Sequence, residues 1–273
     1  MTLFQAAVLG ALQGLTEFLP VSSSCHLILL PWLMRWPDPG LTFDVALHLG
    51  TLVAVVVYFF HDWVSLLRGA LSDPASLNVL APEAGRSPQG RLFALLVLAT
   101  VPGGIIGLLL EKYAESAFRS PPLIAATLIA FGLILEAADR WGARRAEMDS
   151  LALPQALRIG LGQALAVIPG VSRSGITITV GLWEGLTAEA AAKFSFLLSS
   201  PIIMGASLHK LRHLPPGAVD APFLLGIACS AVTGLAAIGF LMRYLRNSGF
   251  RVFTLYRIAL GVAVMAVYRL RGG

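Results

Sequence analysis

Charged residues are scarce in this chain. Asp, Glu, Lys and Arg together make up 13% of 273 residues, against roughly 25% in soluble domains. With 56% hydrophobic residues and a mean hydropathy of +0.77, that scarcity excludes an ordinary soluble domain. Cysteine is rarer still. Cys25 and Cys229 are the only two, and both lie in apolar or motif stretches, which excludes a disulfide framework and any paired-cysteine metal site. Several catalytic signatures are absent as well. There is no Gly-x-x-x-x-Gly-Lys-Ser/Thr nucleotide loop and no His-Glu-x-x-His zinc helix. No arginine follows Cys25 at the spacing of a cysteine-phosphatase loop. The first seven residues carry no basic charge, and Gln13 and Glu17 interrupt the apolar run that follows. The N-terminus therefore reads as part of the mature fold rather than a signal peptide. The net charge of +5 sits in short loops and at segment ends. This is the pattern of topology signals and lipid-headgroup contact, and not of nucleic-acid binding.

What the chain has instead is long apolar runs. A hydrocarbon layer about 30 Å thick is crossed by roughly 20 apolar residues. Runs of that kind lie at about 43–60, 92–111, 122–139, 190–208, 222–242 and 252–269. Two further stretches are apolar but broken and polar at the break. One is Gln163-Ala-Leu-Ala-Val-Ile-Pro169-Gly170-Val-Ser172-Arg173-Ser174-Gly-Ile-Thr177. The other lies 150 positions earlier, Gln13-Gly-Leu-Thr-Glu17-Phe-Leu-Pro20-Val-Ser22-Ser23-Ser24-Cys25-His26. At that offset, without a gap, Gln13 matches Gln163, Val21 matches Val171, and Ser22 and Ser24 match Ser172 and Ser174.

Broken helices at corresponding places in two halves point to an inverted-topology repeat with a site at the membrane midplane. The expected fold is therefore an all-α polytopic membrane protein, with six transmembrane helices and two re-entrant helix hairpins. The first hairpin is expected over 4–18 and 21–34, and the second over 156–168 and 172–183. The chain would form one membrane domain, 1–273, with repeat one over about 1–139 and repeat two over about 151–273. Three spans per half give the halves opposite orientation, so the hairpins would enter from opposite faces. Residues 61–91 read as the longest polar loop, and Gly103, Gly104 and Gly107 as helix-contact glycines. Gly132 and Gly261 fall at matching places in the last span of each half. The basic loops at 61–91, 140–158 and 243–251 share one side, which the positive-inside rule puts in the cytoplasm.

The polar residues of the breaks suggest chemistry. Arg173 follows a helix-breaking Pro-Gly pair and precedes a helix start, where free N–H groups and the helix dipole favour an anion. Its planar fork suits phosphate oxygens. Gln13 and Glu17, four apart, share one helix face, and Glu17 reads as an interhelical hydrogen-bond partner, a general base or a metal ligand. Among the histidines, His26 alone stands in a polar motif and reads as an acid–base group. His48 reads as a packed or pore-facing residue in an apolar span, and His61, His209 and His213 as interfacial. Any of Ser22, Ser23 and Ser24 could cap a helix, Ser24 most readily. A nucleophilic serine needs a base in reach, which His26 or Glu17 would supply. Ser172, Ser174 and Thr177 beside Arg173 read as a phosphate cradle. Base, nucleophile and anion clamp are the parts that phosphoryl transfer requires. A binding site without hydrolysis, in a secondary transporter or lipid flippase, is the alternative.

With both motifs quoted, the chain resembles the undecaprenyl-diphosphate phosphatase family of the bacitracin-resistance type. That family reads Glu/Gln-x-x-x-Glu, then Pro-Val-Ser-Ser-x-x-His, then Pro-Gly-x-Ser-Arg-Ser-x-x-Thr. The stretch Phe194–Pro201 also looks like the family. Cys25 departs from the usual glycine, and Gln13 replaces a second carboxylate. The resemblance implies an integral hydrolase of the bacterial inner membrane, removing the terminal phosphate of undecaprenyl diphosphate, recycling the carrier for cell-wall synthesis and conferring bacitracin resistance. It implies Glu17, Ser23, His26 and Arg173 as catalytic groups, with Ser23 the favoured nucleophile. Gln13, Ser22, Ser172, Ser174 and Thr177 would then position oxygens. A divalent cation, Mg²⁺ or Ca²⁺, with Glu17 as a ligand, is the expected cofactor. The expected partners are the lipid diphosphate and membrane lipids, with a homodimer as the candidate assembly.

Overall fold

Helix dominates because apolar runs in lipid must satisfy every backbone polar group internally. The computed structural model describes residues 1–80, 85–115, 117–212 and 219–271. His213 and Pro82 lie outside the described residues. Within them run α1 (Leu3–Phe18), α2 (Ser23–Met34), α3 (Gly40–Tyr58), α4 (Phe60–Ser72), α5 (Pro88–Leu109) and α6 (Glu111–Glu115). These are followed by α7 (Pro121–Trp141), α8 (Leu153–Ala164), α9 (Arg173–Trp183), α10 (Ala188–Leu211), α11 (Ala221–Tyr244) and α12 (Arg251–Leu270). Among the described residues there is no strand, only an isolated bridge between Ala146 and Leu186.

Five helices, α5, α7, α10, α11 and α12, are long and apolar enough to cross a membrane. A sixth span is reached if α3 and α4, bent by 76° between Tyr58 and Phe60, are counted as one broken span. Each of the six expected apolar runs coincides with one of these helices. Their outward faces carry exposed apolar side chains, such as Val101, Ile105 and Leu108 on α5 and Leu224, Val232 and Phe240 on α11. Apolar exposure on that scale suits a lipid solvent.

The loop expected over 61–91 is corrected in part. Its first third is helix α4, followed by a 3-10 turn over Pro74–Leu77. Polar residues hid an amphipathic pattern there. Leu66, Gly69 and Ala70 share the buried face, which packs on α5, while Asp62 pairs with Lys193 of α10 at 2.6 Å.

The two broken segments are short. At 1.5 Å per residue, α1 spans about 24 Å and α2, α8 and α9 about 17–18 Å, less than the roughly 30 Å of hydrocarbon. Their breaks have matching backbones: Ser22 has φ 71° and Ser172 has φ 71°. Such angles at a non-glycine residue persist only where the surroundings impose them. Each first helix packs on a span of the opposite half, α1 on α11 and α8 on α5. The closest approaches match too. A Cβ added at Gly10 would lie 2.3 Å from the Gly226 carbonyl oxygen, and one at Gly160 would lie 2.1 Å from that of Ala99. Gly132 and Gly261 do fall at the contact of α7 with α12, near Arg257 and the Ala125 carbonyl respectively. Gly104 and Gly107 do not serve as helix contacts. Ile202, at 3.9 Å, is the nearest neighbour of a Cβ at Gly104, and a Cβ at Gly107 would have none within 4 Å.

The joint between the halves is Arg257 of α12, a fully buried arginine. Its Nε donates to the Leu128 carbonyl at 3.2 Å and its Nη1 to that of Pro20 at 3.2 Å. Its Nη2 donates to the Gly170 and Val171 carbonyls at 2.7 and 3.0 Å. Breaking a helix frees carbonyls that lipid cannot solvate. One guanidinium with five donors satisfies such groups at both breaks.

Candidate active site

The two breaks meet. The Ser22 hydroxyl accepts from the Gly170 amide at 3.1 Å, and the Ser174 hydroxyl donates to the Leu19 carbonyl at 3.1 Å. Beside this junction lies a cavity of about 240 Å³ whose polar lining comprises Glu17, Ser23, Ser24, His48, Gln163, Ser172, Arg173 and Ser207. The rest of the wall is apolar, including Val167, Ile202, Ile203 and Ala206.

Glu17 is the centre of the arrangement and is 5% exposed. Its Oε1 accepts from Arg173 Nη2 at 2.6 Å. Its Oε2 accepts from Gln13 Nε2 at 2.9 Å and from the Ser23 hydroxyl, and lies 3.4 Å from His48 Nε2. A buried carboxylate is costly unless charge and hydrogen bonds compensate it. Here the compensating cation comes from the other half of the chain. The local folding follows from sequence. Gln13 and Glu17 sit one turn apart on α1. Ser23 and Arg173 are the first residues of α2 and α9, so two helix N-termini, each favouring an anion, open on one cavity. No side chain caps α2, whereas the Ser172 hydroxyl caps α9 by accepting from the Gly175 amide at 3.1 Å.

Not all expected site residues reach this cavity. His26 points elsewhere: its Nδ1 is 2.7 Å from the Ser22 carbonyl oxygen, and its Nε2 is 2.7 Å from the Tyr256 hydroxyl, with the two rings stacked. The turn after Pro20 aims residues 23 and 24 at the cavity, while the imidazole of residue 26 is held by the Ser22 carbonyl and the Tyr256 hydroxyl. Ser22 and Ser174 are spent on the junction between the breaks. Thr177 donates to the Arg173 carbonyl at 2.8 Å and lies 2.6 Å from the Ser195 hydroxyl. These four do not line the cavity. Cys25 lies inside α2, buried in one apolar cluster with Ile124, Ala125 and Leu128.

Two residues were missed by sequence reading. His48, from α3, stands at Glu17 with its Nδ1 2.6 Å from the Asp44 carbonyl oxygen. Arg257 was overlooked although an arginine inside an apolar run is a functional signal by default. His48 offered a weaker one, a lone imidazole in a span.

A divalent cation can be tested against these donors. Among the described residues no group of three His, Cys, Asp or Glu side chains could hold a metal. Among the described residues Glu17 is the one carboxylate of the lining, and Gln13 Oε1 is a buried oxygen without a partner. One carboxylate and one amide oxygen are hard oxygen donors of the kind Mg²⁺ takes when most of its other ligands come from water or substrate.

Comparison with known proteins agrees with the geometry. The family model described as bacitracin resistance protein BacA matches residues 6–263. A protein of Moorella thermoacetica named undecaprenyl-diphosphatase is 54% identical over 99% of this chain and 100% of its own length. Proteins of the same name from Pelotomaculum thermopropionicum and Desulforudis audaxviator are 48% and 47% identical, over 98% and 100% of this chain and 97% and 100% of their own. A polytopic helical chain with a Glu–Ser–Arg cluster at paired helix breaks, matched along nearly its whole length, belongs to the BacA family.

Proposed function

We propose that this protein hydrolyses undecaprenyl diphosphate to undecaprenyl phosphate and inorganic phosphate in the bacterial inner membrane. This recycles a cell-wall lipid carrier and confers bacitracin resistance. The supporting observation is Glu17 holding the Ser23 hydroxyl on one side and the Arg173 guanidinium on the other, in a cavity with apolar walls. In this reading Glu17 accepts the Ser23 proton as Ser23 Oγ attacks the terminal phosphorus. The P–O bond to the bridging oxygen breaks and the lipid monophosphate leaves. Arg173 turns its fork to the phosphoryl oxygens, with the N-termini of α2 and α9 behind them. Glu17 passes that proton to the departing monophosphate. Water then attacks the phosphoserine phosphorus and gives a proton to Glu17, which hands it to Ser23 Oγ as the P–Oγ bond breaks and inorganic phosphate leaves. Gln13 and His48 hold Glu17 in place throughout. His26, tied to Tyr256 and the Ser22 carbonyl, orients the start of α2. Glu17 and Gln13 Oε1 would hold a divalent cation, which when bound neutralises charge on the diphosphate oxygens.

We also read the fold as six transmembrane helices with two re-entrant hairpins, 3–34 and 153–183, related by a pseudo-two-fold axis in the membrane plane, with repeat boundaries near 139 and 151. The matching breaks at Ser22 and Ser172 and the matching contacts of Gly10 and Gly160 support it. The same repeat favours lipid flipping as the alternative activity. The deciding experiment is phosphate release from a prenyl diphosphate by purified protein, with and without a chelator. A labelled prenyl diphosphate that crosses proteoliposomes without being cleaved would favour the flippase.

A further inference from the structure

Gln163 lines the cavity and is 4% exposed. Neither its amide nitrogen nor its carbonyl oxygen has a hydrogen-bond partner. Buried side-chain amides are nearly always paired, because the lost hydration is otherwise uncompensated. Ser207 of α10 lines the same cavity, is 1% exposed, and also lacks a partner for its hydroxyl. The repeat shows why Gln163 is free. Its mate Gln13 donates to Glu17, four residues on, whereas the residue four after Gln163 is Val167. The first half spends its glutamine on a carboxylate, and the second half has no carboxylate there to spend it on. Gly103 leaves room for the amide, since a Cβ at that position would lie 2.9 Å from Gln163 Nε2.

We propose that Gln163 and Ser207 form a second phosphate station, which binds the phosphate that stays on the lipid. This rests on the reading of the cavity as a lipid-diphosphate site. The terminal phosphate occupies Ser23, Glu17 and Arg173, so the next phosphate along the substrate needs donors elsewhere in the cavity. Gln163 supplies an amide N–H and Ser207 a hydroxyl, both uncommitted. The prenyl chain then continues against Val167, Ile202, Ile203 and Ala206.

The test uses purified full-length protein in detergent, as wild type, Gln163→Met and Ser207→Ala. Calorimetry measures the binding of farnesyl monophosphate, with inorganic phosphate and farnesol as comparison probes, and thermal melting is followed in parallel. Gln163→Met should weaken farnesyl monophosphate about tenfold and raise KM for farnesyl diphosphate about as much, the size of one or two lost hydrogen bonds. Inorganic phosphate and farnesol should bind as before, kcat should change little, and Tm should hold or rise because two unsatisfied buried atoms are removed. Wild-type affinity for farnesyl monophosphate in a Gln163→Met protein that melts normally would overturn the proposal, leaving Gln163 a structural residue. Should Gln163→Met fail to fold, Ser207→Ala carries the test. It should weaken the monophosphate about threefold, and no change overturns the proposal. The outcome also separates this inference from the hydrolytic reading. A wild type that releases no phosphate from farnesyl diphosphate, while Gln163→Met still loses monophosphate affinity, removes the hydrolase and keeps the phosphate station.

Discussion

The two broken segments of this molecule match in backbone at the break and divide a chemistry. Both break a short helix at a serine with φ 71°, and both set a first helix glycine-close against a span of the other half. At the matched positions, however, half one has Glu17, Ser23 and His26 where half two has Val167, Arg173 and Ile176. Two breaks of matching backbone are thus filled asymmetrically, with the carboxylate and hydroxyl on one and the cation on the other. Neither half is a site alone. Glu17 without Arg173 would be a buried carboxylate without its cation, and Arg173 without Glu17 an arginine at membrane depth without its anion, each expensive.

The largest losses are expected at the nucleophile and its base. Ser23→Ala and Glu17→Gln should each lower phosphate release from a prenyl diphosphate by several orders of magnitude, the scale of losing a nucleophile or its general base. A purified, normally melting Ser23→Ala protein with substantial turnover would return the attack to water. Next in size is the second half's contribution. Arg173→Lys keeps a charge but loses the fork, and kcat should fall about a hundredfold or more, the scale of a lost transition-state donor. The joint comes third. Arg257→Met leaves the carbonyls of Leu128, Pro20, Gly170 and Val171 without their donor. At about 1–3 kcal/mol per unsatisfied group, the thermal melt should drop steeply or folded yield be lost, with Arg257→Lys in between. The smallest effects belong to groups that reach Glu17 or the junction through one bond. His48→Gln and Ser174→Ala should each cost about tenfold or less in kcat. His48→Ala should be worse than His48→Gln, because only glutamine can still donate to Glu17 Oε2.

Much of the fold could be read from sequence because lipid makes apolar length informative. The six runs, the two breaks and the 150-residue match all follow from hydropathy, Pro–Gly punctuation and spacing. Helix α4 was not legible, because its polar residues mask an amphipathic face. The site was half legible. Motif spacing brought Glu17, Ser23, Ser172 and Arg173 to one cavity, with Gln13 behind Glu17. His26 could not be resolved by it, since whether a side chain three residues beyond Ser23 faces the cavity depends on how the turn after Pro20 aims α2. His48, Gln163 and Arg257 come from segments that sequence treats as span or repeat, and their roles exist only after α3, α8 and α12 are packed around the breaks.

Glu17 and Arg173, from opposite sides of the junction, act as one unit. A double-mutant cycle on phosphate release from farnesyl diphosphate, with Glu17→Gln, Arg173→Lys and the combined variant in single turnover, measures this directly. Groups that act together are strongly non-additive, so the combined variant should be little slower than the worse of the two single variants. If the two losses instead multiply, the carboxylate and the arginine work independently, and the division of one site between two half-sites is contradicted.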